Sequence, residues 1–320
     1  MAMVMKEKLA AVLLGAAIVL QGAVSAEGQP APEPMSVTTS DGVMLRGMYF
    51  GGGARKGSPQ GKQTTPVVML HDFKGTRATF APLAQALLAP GDGNGERAYF
   101  AVVIVDLRGH GESTKQLTGG GGVTDLDPAK LGKEGLEAMA ARDMEAIRDF
   151  LVDKNDAGEL NLNKLCLVGS GMGASVAVNW AAHDWAAPPL AVGKQGQDVK
   201  GLVLISPRWS YNGLMIQEAL KFGAFKKNVA WMLIGGAQDQ KAKQELSRVQ
   251  AQLEKSHPPT DKTGAKQRSG LEVLALPTSL EGDVLVGKSA DAIDPAIVKF
   301  LTDYVAMAQL PWTNRRNKIP

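Results

Sequence analysis

Short apolar runs alternate with amphipathic stretches along most of this chain, and this alternation constrains its fold more than any other feature. Strands that are buried on both faces of a parallel sheet are almost continuously hydrophobic over five or six residues. Such runs occupy residues 66–70, 100–105, 164–168, 201–205, 229–234 and 271–276. Between and after them, apolar side chains recur at helical spacing in residues 80–88, 136–151 and 293–304.

The segment before the first parallel run has a different pattern. Residues 36–40 and 43–50 flank Asp41-Gly42, a dipeptide typical of two-residue β-hairpin turns. Together the patterns predict an α/β fold: a mostly parallel, doubly wound sheet of about eight strands, helices on both faces, and an N-terminal antiparallel hairpin. Residues 206–228 have room for one helix around 214–222, which would form a minimal cap and leave a fairly open cleft.

The N-terminus has the composition of an export signal. Lys6 and Lys8 precede an apolar run at 9–20, and Val24-Ser25-Ala26 supplies small residues for cleavage. We predict a signal peptide at 1–26, a Pro-rich linker at 27–35, one domain at 36–308 and a basic, solvated tail at 309–320. The apolar run is short for a bilayer span, so no stable membrane span is expected after cleavage. The expected location is secreted or periplasmic, and an uncleaved membrane anchor is the alternative.

Composition excludes several classes of partner. A net charge of +3 over 320 residues does not favour nucleic acid. Cys166 is the only cysteine and lies in an apolar run, so we expect a buried, inert thiol. The letters Gly169-x-Gly171-x-x-Ala174 match a dinucleotide-binding fingerprint, but the motif follows the third parallel strand and no acidic residue ends the next one. We predict no cofactor and no metal. The identity of a small-molecule or peptide ligand, like the oligomeric state, is left open by the sequence.

The residues directly after four of the apolar runs form a more specific pattern. In an open parallel sheet these positions collect at the carboxyl edge, where ligands bind. The four turns read His71-Asp72-Phe73-Lys74-Gly75, Asp106-x-Arg108-Gly109-His110-Gly111-x-Ser113, Gly169-Ser170-Gly171-Met172-Gly173 and Gly235-Gly236-Ala237-Gln238-Asp239. In this order, from residue 36 to about 307, the chain resembles the α/β-hydrolase fold family of serine hydrolases, esterases and aminopeptidase-like proteins.

The resemblance implies a catalytic triad and an oxyanion hole at stated positions. Family members place a serine nucleophile on the strand-to-helix turn, which falls on Gly171, and backbone N–H donors at Phe73 and Met172. The orienting acid falls on Asp239. The histidine falls in the turn after the last strand, where this chain has Glu281. Two of the three triad positions are therefore lost.

Other residues supply alternatives. No histidine follows His257, which we expect at the opposite, amino edge of the sheet, and structural roles are expected for all four histidines. Ser170 is a candidate substitute nucleophile, and Glu281 with Asp239 nearby could act as a general base for water. Candidate pocket residues are His71, Trp209 and Tyr211.

Whether the chain is an enzyme is left open by these patterns. We predict an exported, degenerate hydrolase-like protein that acts as a binding module. The alternative is an active hydrolase of ester or peptide bonds with a non-standard site.

Overall fold

The computed structural model describes residues 31–89, 98–188, 194–258 and 270–316. The predicted signal peptide and the first part of the predicted linker lie outside the described residues, as do the last four residues of the chain. Among the helices of the described ranges, none is long and apolar enough to cross a membrane.

A ten-stranded sheet forms the centre of the molecule. Its strands are β1 (Glu33–Thr38), β2 (Val43–Phe50), β3 (Thr65–Leu70), β4 (Phe100–Asp106), β5 (Lys115–Leu117), β6 (Val123–Asp125), β7 (Leu165–Ser170), β8 (Val199–Ile205), β11 (Ala230–Gly236) and β12 (Leu271–Leu276), and β9 (Ser210–Tyr211) and β10 (Leu214–Met215) form a separate hairpin. The spatial order is β12-β11-β8-β7-β3-β4-β2-β5-β6, with β1 paired to β2. Within this sheet, all adjacent pairs formed by β12, β11, β8, β7, β3 and β4 are parallel.

Helices cover both faces of the sheet. They are α1 (Ala81–Leu88), α2 (Gly132–Ala138), α3 (Met144–Asp156), α4 (Met172–Ala186), α5 (Gly223–Asn228), α6 (Gln240–Leu253), α7 (Gly282–Lys288) and α8 (Ala290–Leu301). Side chains alternate between two cores: Val68 and Leu70 of β3 pack with α2, α3, α4 and α6, whereas Val67 and Met69 pack with α1, α7 and α8. Since both faces are covered, the near-continuous apolar runs are explained, and the predicted fold class is confirmed.

The N-terminal hairpin is also confirmed, with a longer first strand than predicted. β1 pairs antiparallel with β2, and Gly42 takes a φ of 86° in the turn between them. The strand begins at Glu33, opposite Tyr49, so the end of the predicted 27–35 linker belongs to the sheet. Met35 explains this, because its side chain is buried in the core. The exposed strands β5 and β6, on either side of residues 119–122, carry too little apolar pattern to be predicted.

The helix predicted around 214–222 is wrong. The structure has the β9–β10 hairpin in the first part of this range, and the α-helix of the segment is α5, at Gly223–Asn228. The hairpin turn is Asn212-Gly213, whose φ angles are 44° and 87°. Two successive positive φ angles define a type I′ turn, which Asn-Gly favours strongly. The apolar residues Ile216 and Leu220 are buried, and Leu220 lies in a short 3₁₀ helix at Ala219–Lys221.

The C-terminal segment differs from the expected solvated tail. The Arg315 side chain is only 2% exposed, and its Nη2 lies 2.6 Å from Asp198 Oδ1. Trp312 Nε1 donates to the Asn155 carbonyl oxygen (3.2 Å), and Asn161 Nδ2 donates to the Leu310 carbonyl oxygen (2.9 Å). The segment therefore packs against the domain as far as residue 316.

Candidate active site

The site lies where two neighbouring parallel strands end. β3 and β7 pair with Leu70 opposite Gly169, so the turns that follow them stand side by side. On its other side β3 pairs with β4. The connection from β3 to β4 covers one face of the sheet, and the connection from β4 to β7 covers the opposite face. Such a switch point leaves a crevice at the carboxyl edge of the sheet, and this crevice contains Asp72 and Gly171.

Gly171 forms the sharp turn between β7 and α4. Its φ and ψ are 50° and −106°, a combination that a residue with a side chain adopts only with strain. Its N–H donates to the Ile205 carbonyl oxygen (2.9 Å), which ties the turn to β8. A Cβ on Gly173 would lie under 3.0 Å from the Leu70 carbonyl group, so the turn also needs a small residue there. This is the strand–turn–helix geometry of a nucleophile elbow.

The Asp72 carboxylate occupies the centre of this elbow. Asp72 Oδ1 accepts hydrogen bonds from the backbone N–H groups of Phe73 (2.7 Å) and Met172 (2.8 Å). These are the two donors that the resemblance assigned to the oxyanion hole, and they converge on one oxygen atom. A Cβ on Gly171 would lie under 3.0 Å from Asp72 Cγ and from both carboxylate oxygens. The carboxylate thus takes the space of the missing side chain.

A second aspartate holds the Asp72 loop in place. Asp283 Oδ1 accepts from the Asp72 N–H (2.9 Å), and Asp283 Oδ2 accepts from Thr79 Oγ1 (2.9 Å). A Cβ on Gly282 would lie under 3.0 Å from Asp72 Oδ2, and one on Gly75 would lie as close to Asp283 Oδ2. Glycine at these two positions makes room for the paired aspartates.

The electrostatics of the site follow from burial. Burial raises the pKa of Asp72, and the nearby Asp283 carboxylate raises it further, against the two backbone hydrogen bonds and the Arg208 cation, which lower it. Burial also raises the pKa of Tyr211 to about 12, with a further contribution from Asp72. Arg208 Nη2 lies 3.0 Å from Glu281 Oε2. The crevice therefore combines a carboxylate at its centre with a cation at its side.

The candidate catalytic residues lie in separate environments. Ser170 is completely buried, and its Oγ has no hydrogen-bond partner in the described part of the chain. Asp239 caps α6, since its Oδ1 accepts from the Ala242 N–H (2.8 Å). Glu281 binds Arg208, as described above. No hydrogen bond between described residues joins Ser170, Asp239 and Glu281 into one set.

Three of the histidines have backbone partners. His71 Nδ1 donates to the Asp72 carbonyl oxygen (2.7 Å), and its Nε2 accepts from the Leu107 N–H (3.0 Å). His110 Nδ1 donates to the Arg108 carbonyl oxygen (2.9 Å). His257 Nε2 lies 2.7 Å from the Lys226 carbonyl oxygen, just before β11, at the amino edge of the sheet. His183 is exposed on α4.

The Asp106–Ser113 turn is held by its charged residues. Arg108 Nε donates to both oxygens of Asp143 (2.9 and 3.1 Å), and its Nη1 donates to Asp41 Oδ2 (2.8 Å). The Asp106 carboxylate accepts from the N–H groups of Arg77 (2.7 Å) and Glu112 (3.0 Å). The motif that carried the family resemblance therefore shapes the turn beside the crevice.

Two cavities open at this edge of the sheet. One of about 160 Å³ is lined by Phe73, Met172 and Tyr211 among others, and one of about 120 Å³ by Arg208, Glu281 and their neighbours. His71 and Trp209 line neither of these two cavities. The His71 ring joins two turns. The Trp209 ring is buried beneath Arg248, 4.2 Å away.

Sequence reasoning missed Asp72. The available signal was a carboxylate directly before Phe73, the predicted oxyanion donor.

The fold and the site together define an α/β protein with a nucleophile elbow at the centre of a mostly parallel sheet. The family model described as the alpha/beta hydrolase family matches residues 67–312, and the chain belongs to that family.

Solved structures show the same fold at low sequence identity. An esterase of Pyrococcus furiosus is 16% identical with a TM-score of 0.52, over 86% of this chain and 93% of the esterase. A peroxisomal alpha-beta-hydrolase of Saccharomyces cerevisiae is 13% identical with a TM-score of 0.55, over 92% of both chains. An alpha/beta hydrolase from a Penicillium species is 14% identical with a TM-score of 0.54, over 87% of this chain and 100% of that one. No curated protein sequence matches this chain.

Proposed function

We propose that this chain is an exported member of the alpha/beta hydrolase family that does not perform the serine-hydrolase reaction and instead binds a small molecule or peptide. One observation carries the proposal. Asp72 Oδ1 accepts the two backbone N–H groups, of Phe73 and Met172, that would otherwise receive the oxygen of an acyl substrate.

The physical argument concerns the transition state of acyl transfer. An oxyanion hole accelerates the reaction by donating to the negative oxygen that develops on the substrate, and it must be free to do so. Here an oxygen of Asp72 already accepts both donors, so neither is available to an oxygen that develops negative charge on a substrate. Gly171 also supplies no nucleophile. Loss of triad residues alone lowers turnover by about 10⁴- to 10⁶-fold.

The non-standard hydrolase has less support. Its substitute nucleophile, Ser170, has a buried Oγ that contacts no base among the described residues. Its carboxylates, Asp239 and Glu281, are engaged with the α6 N-terminus and with Arg208.

Reaction with a fluorophosphonate probe tests the proposal directly. The purified chain should remain unlabelled and should hydrolyse neither p-nitrophenyl esters nor aminoacyl p-nitroanilides, while a known serine hydrolase in the same assay is labelled. The Ser170→Ala variant is the matched control. Labelling at Ser170, or turnover that disappears in Ser170→Ala, would overturn the proposal in favour of the alternative.

The export part of the proposal rests on the N-terminal sequence. Lys6, Lys8 and the apolar run at 9–20 have the charge and length of a signal peptide. Expression in a bacterial host that exports proteins, followed by N-terminal sequencing of the periplasmic and medium fractions, should find a chain that begins at residue 27. Full-length chain retained in the membrane fraction would instead support the uncleaved anchor.

A further inference from the structure

A small, accessible cavity lies between the residues that follow β8, the first turns of α6 and Glu281. Its volume is about 120 Å³. A cavity of about 150 Å³ binds benzene, so this one has room for a ligand of about six non-hydrogen atoms or fewer. Solvent reaches its wall directly, because Lys241 and Ser210 are exposed and the Arg208 and Glu281 side chains are 40% and 32% exposed.

The wall of this cavity carries two charges of each sign. Arg208 and Lys241 are its cations, and Glu245 and Glu281 are its carboxylates. The lining therefore has no net charge. A ligand with a single charge would meet two groups of its own sign in a small space, whereas a ligand with both charges can pair each of them with an opposite group.

The charged groups of the wall have hydrogen-bonding atoms that the protein does not use. Arg208 donates from Nη2 to Glu281 Oε2 (3.0 Å), and Glu245 Oε2 accepts from the Trp209 N–H (2.5 Å). Among the residues that the structure describes, Lys241 Nζ, the other Arg208 nitrogens and the two Oε1 atoms have no partner. Donors and acceptors are therefore both available to a ligand.

Lys241 and Glu245 are the most informative pair. They are four residues apart on α6, a spacing at which lysine and glutamate commonly pair, yet they form no ion pair with each other. A ligand with both charges, placed beside them, would give each its missing partner. The apolar part of the wall consists of Pro207, Ala242 and Leu246, which leaves room only for a short apolar group.

We infer that this cavity binds a small zwitterionic amino acid, of the size of glycine or alanine. Its carboxylate pairs with Lys241 and Arg208. Its ammonium group donates to the free carboxylate oxygens of Glu245 and Glu281. The inference deepens the proposed binding role and rests on it.

Three probe molecules test the need for both charges. Propionate is L-alanine without the ammonium group, and ethylamine is L-alanine without the carboxylate. In calorimetric titrations of the full chain, L-alanine should bind at least about tenfold more tightly than either, because each of the others lacks one set of charged hydrogen bonds. No saturable binding of L-alanine up to tens of millimolar, or equal binding of L-alanine and either single-charge probe, would overturn the inference.

A resonance of Trp209 reports where the ligand binds. The Trp209 N–H donates to Glu245, so an ammonium group that arrives beside this carboxylate should shift the backbone ¹⁵N–¹H resonance of Trp209. The full chain is labelled with ¹⁵N at tryptophan, and the Trp209→Phe variant assigns the resonance. A shift that saturates together with the calorimetric signal supports the inference. L-Alanine binding with an unchanged Trp209 resonance would overturn it.

A charge reversal gives a second, independent measurement. Lys241→Glu leaves one cation and three carboxylates in the wall, so ethylamine should then bind more tightly than L-alanine. Lys243→Glu is the matched control, since it makes the same charge change on the same helix outside the cavity lining and should keep the original order. Both lysines are exposed in the first turn of α6, where a glutamate suits the helix dipole, so folding is preserved. An unreversed order in Lys241→Glu, or a reversal in Lys243→Glu as well, would overturn the inference.

The outcome is separable from that of the proposed function. Labelling by fluorophosphonate would overturn the non-catalytic role and leave the amino-acid site standing. Absence of L-alanine binding in a chain that is also inert to fluorophosphonate would overturn only the ligand assignment.

Discussion

The steric exclusion between Gly171 and Asp72 can be measured as a coupling free energy. Adding a methyl group by Gly171→Ala has two separate costs. Alanine would have to adopt the φ of 50° and ψ of −106° found at this turn, a strain of about 1–3 kcal/mol. Its Cβ would also lie under 3.0 Å from the Asp72 carboxylate, and overpacking of this kind costs about 1–3 kcal/mol.

The second variant isolates the steric part. Asp72→Ala removes the Cγ and both oxygens that a Cβ at position 171 would meet. Gly171→Ala should therefore lower the free energy of unfolding by about 2–6 kcal/mol in the unmodified chain, but by only about 1–3 kcal/mol in the Asp72→Ala background. The coupling free energy between the two substitutions is the difference, about 1–3 kcal/mol.

Urea unfolding followed by tryptophan fluorescence of all four chains gives this coupling. Gly223→Ala is the matched control, because nothing lies within 4 Å of a Cβ at that position and its φ is ordinary. Its effect should add to that of Asp72→Ala within about 0.5 kcal/mol. If the effects of Gly171→Ala and Asp72→Ala on the free energy of unfolding also add within about 0.5 kcal/mol, the carboxylate does not exclude a side chain at position 171, and the steric explanation is wrong.

Three further predictions concern buried charges away from the elbow. Arg315→Ala should lower the free energy of unfolding by about 3 kcal/mol in urea titrations, because it removes one cation from the buried Asp198 carboxylate; an unchanged midpoint would mean that the C-terminal segment is not packed. Asp294→Asn should flatten the pH dependence of stability. Burial raises the pKa of Asp294 to about 6, above the unfolded value of about 3.9, so its contribution is complete below about pH 4 and is lost as the pH rises through about 6. Thermal unfolding at pH 4, 5, 6 and 7 checks this, and parallel curves for the two chains would contradict it. Arg108→Lys should shift the urea midpoint by the equivalent of about 2 kcal/mol, since lysine cannot donate to both Asp143 oxygens in the arginine's planar geometry; full stability in the lysine variant would show that charge alone is needed there.

The parallel strands could be predicted because the physics of their burial is local. Each strand of the sheet centre has apolar side chains on both faces, so five or six consecutive residues carry the signal by themselves. The elbow could be located for a related reason. A turn that must pack Gly173 against the Leu70 carbonyl group requires small residues at fixed spacing, and that spacing is visible in the sequence.

Features that depend on distant partners could not be predicted. In the sequence, Arg315 belongs to a basic C-terminal segment. Only the fold brings its Nη2 to 2.6 Å from Asp198 Oδ1. The structure of the cap was predictable and was missed. Asn212-Gly213 is a strong hairpin signal, but the apolar spacing after it favoured a helix.

The position of Asp72 could be predicted from the local sequence, but the contacts of its carboxylate depend on distant residues and could not. Its place after β3 follows from the apolar run. Its hydrogen bonds depend on the Met172 N–H, 100 residues away along the chain. No local pattern distinguishes a carboxylate that points into solvent from one that folds back over its own backbone.

The glycine at the elbow and the aspartate beside it are therefore sterically dependent on each other. Any side chain at position 171 would collide with the Asp72 carboxylate, and Gly282 and Gly75 give the room that Asp72 and Asp283 require. A serine at position 171 would meet the Asp72 carboxylate, which already accepts the Phe73 and Met172 N–H groups. Any side chain at position 171 would therefore require that the Asp72 carboxylate first be removed or displaced.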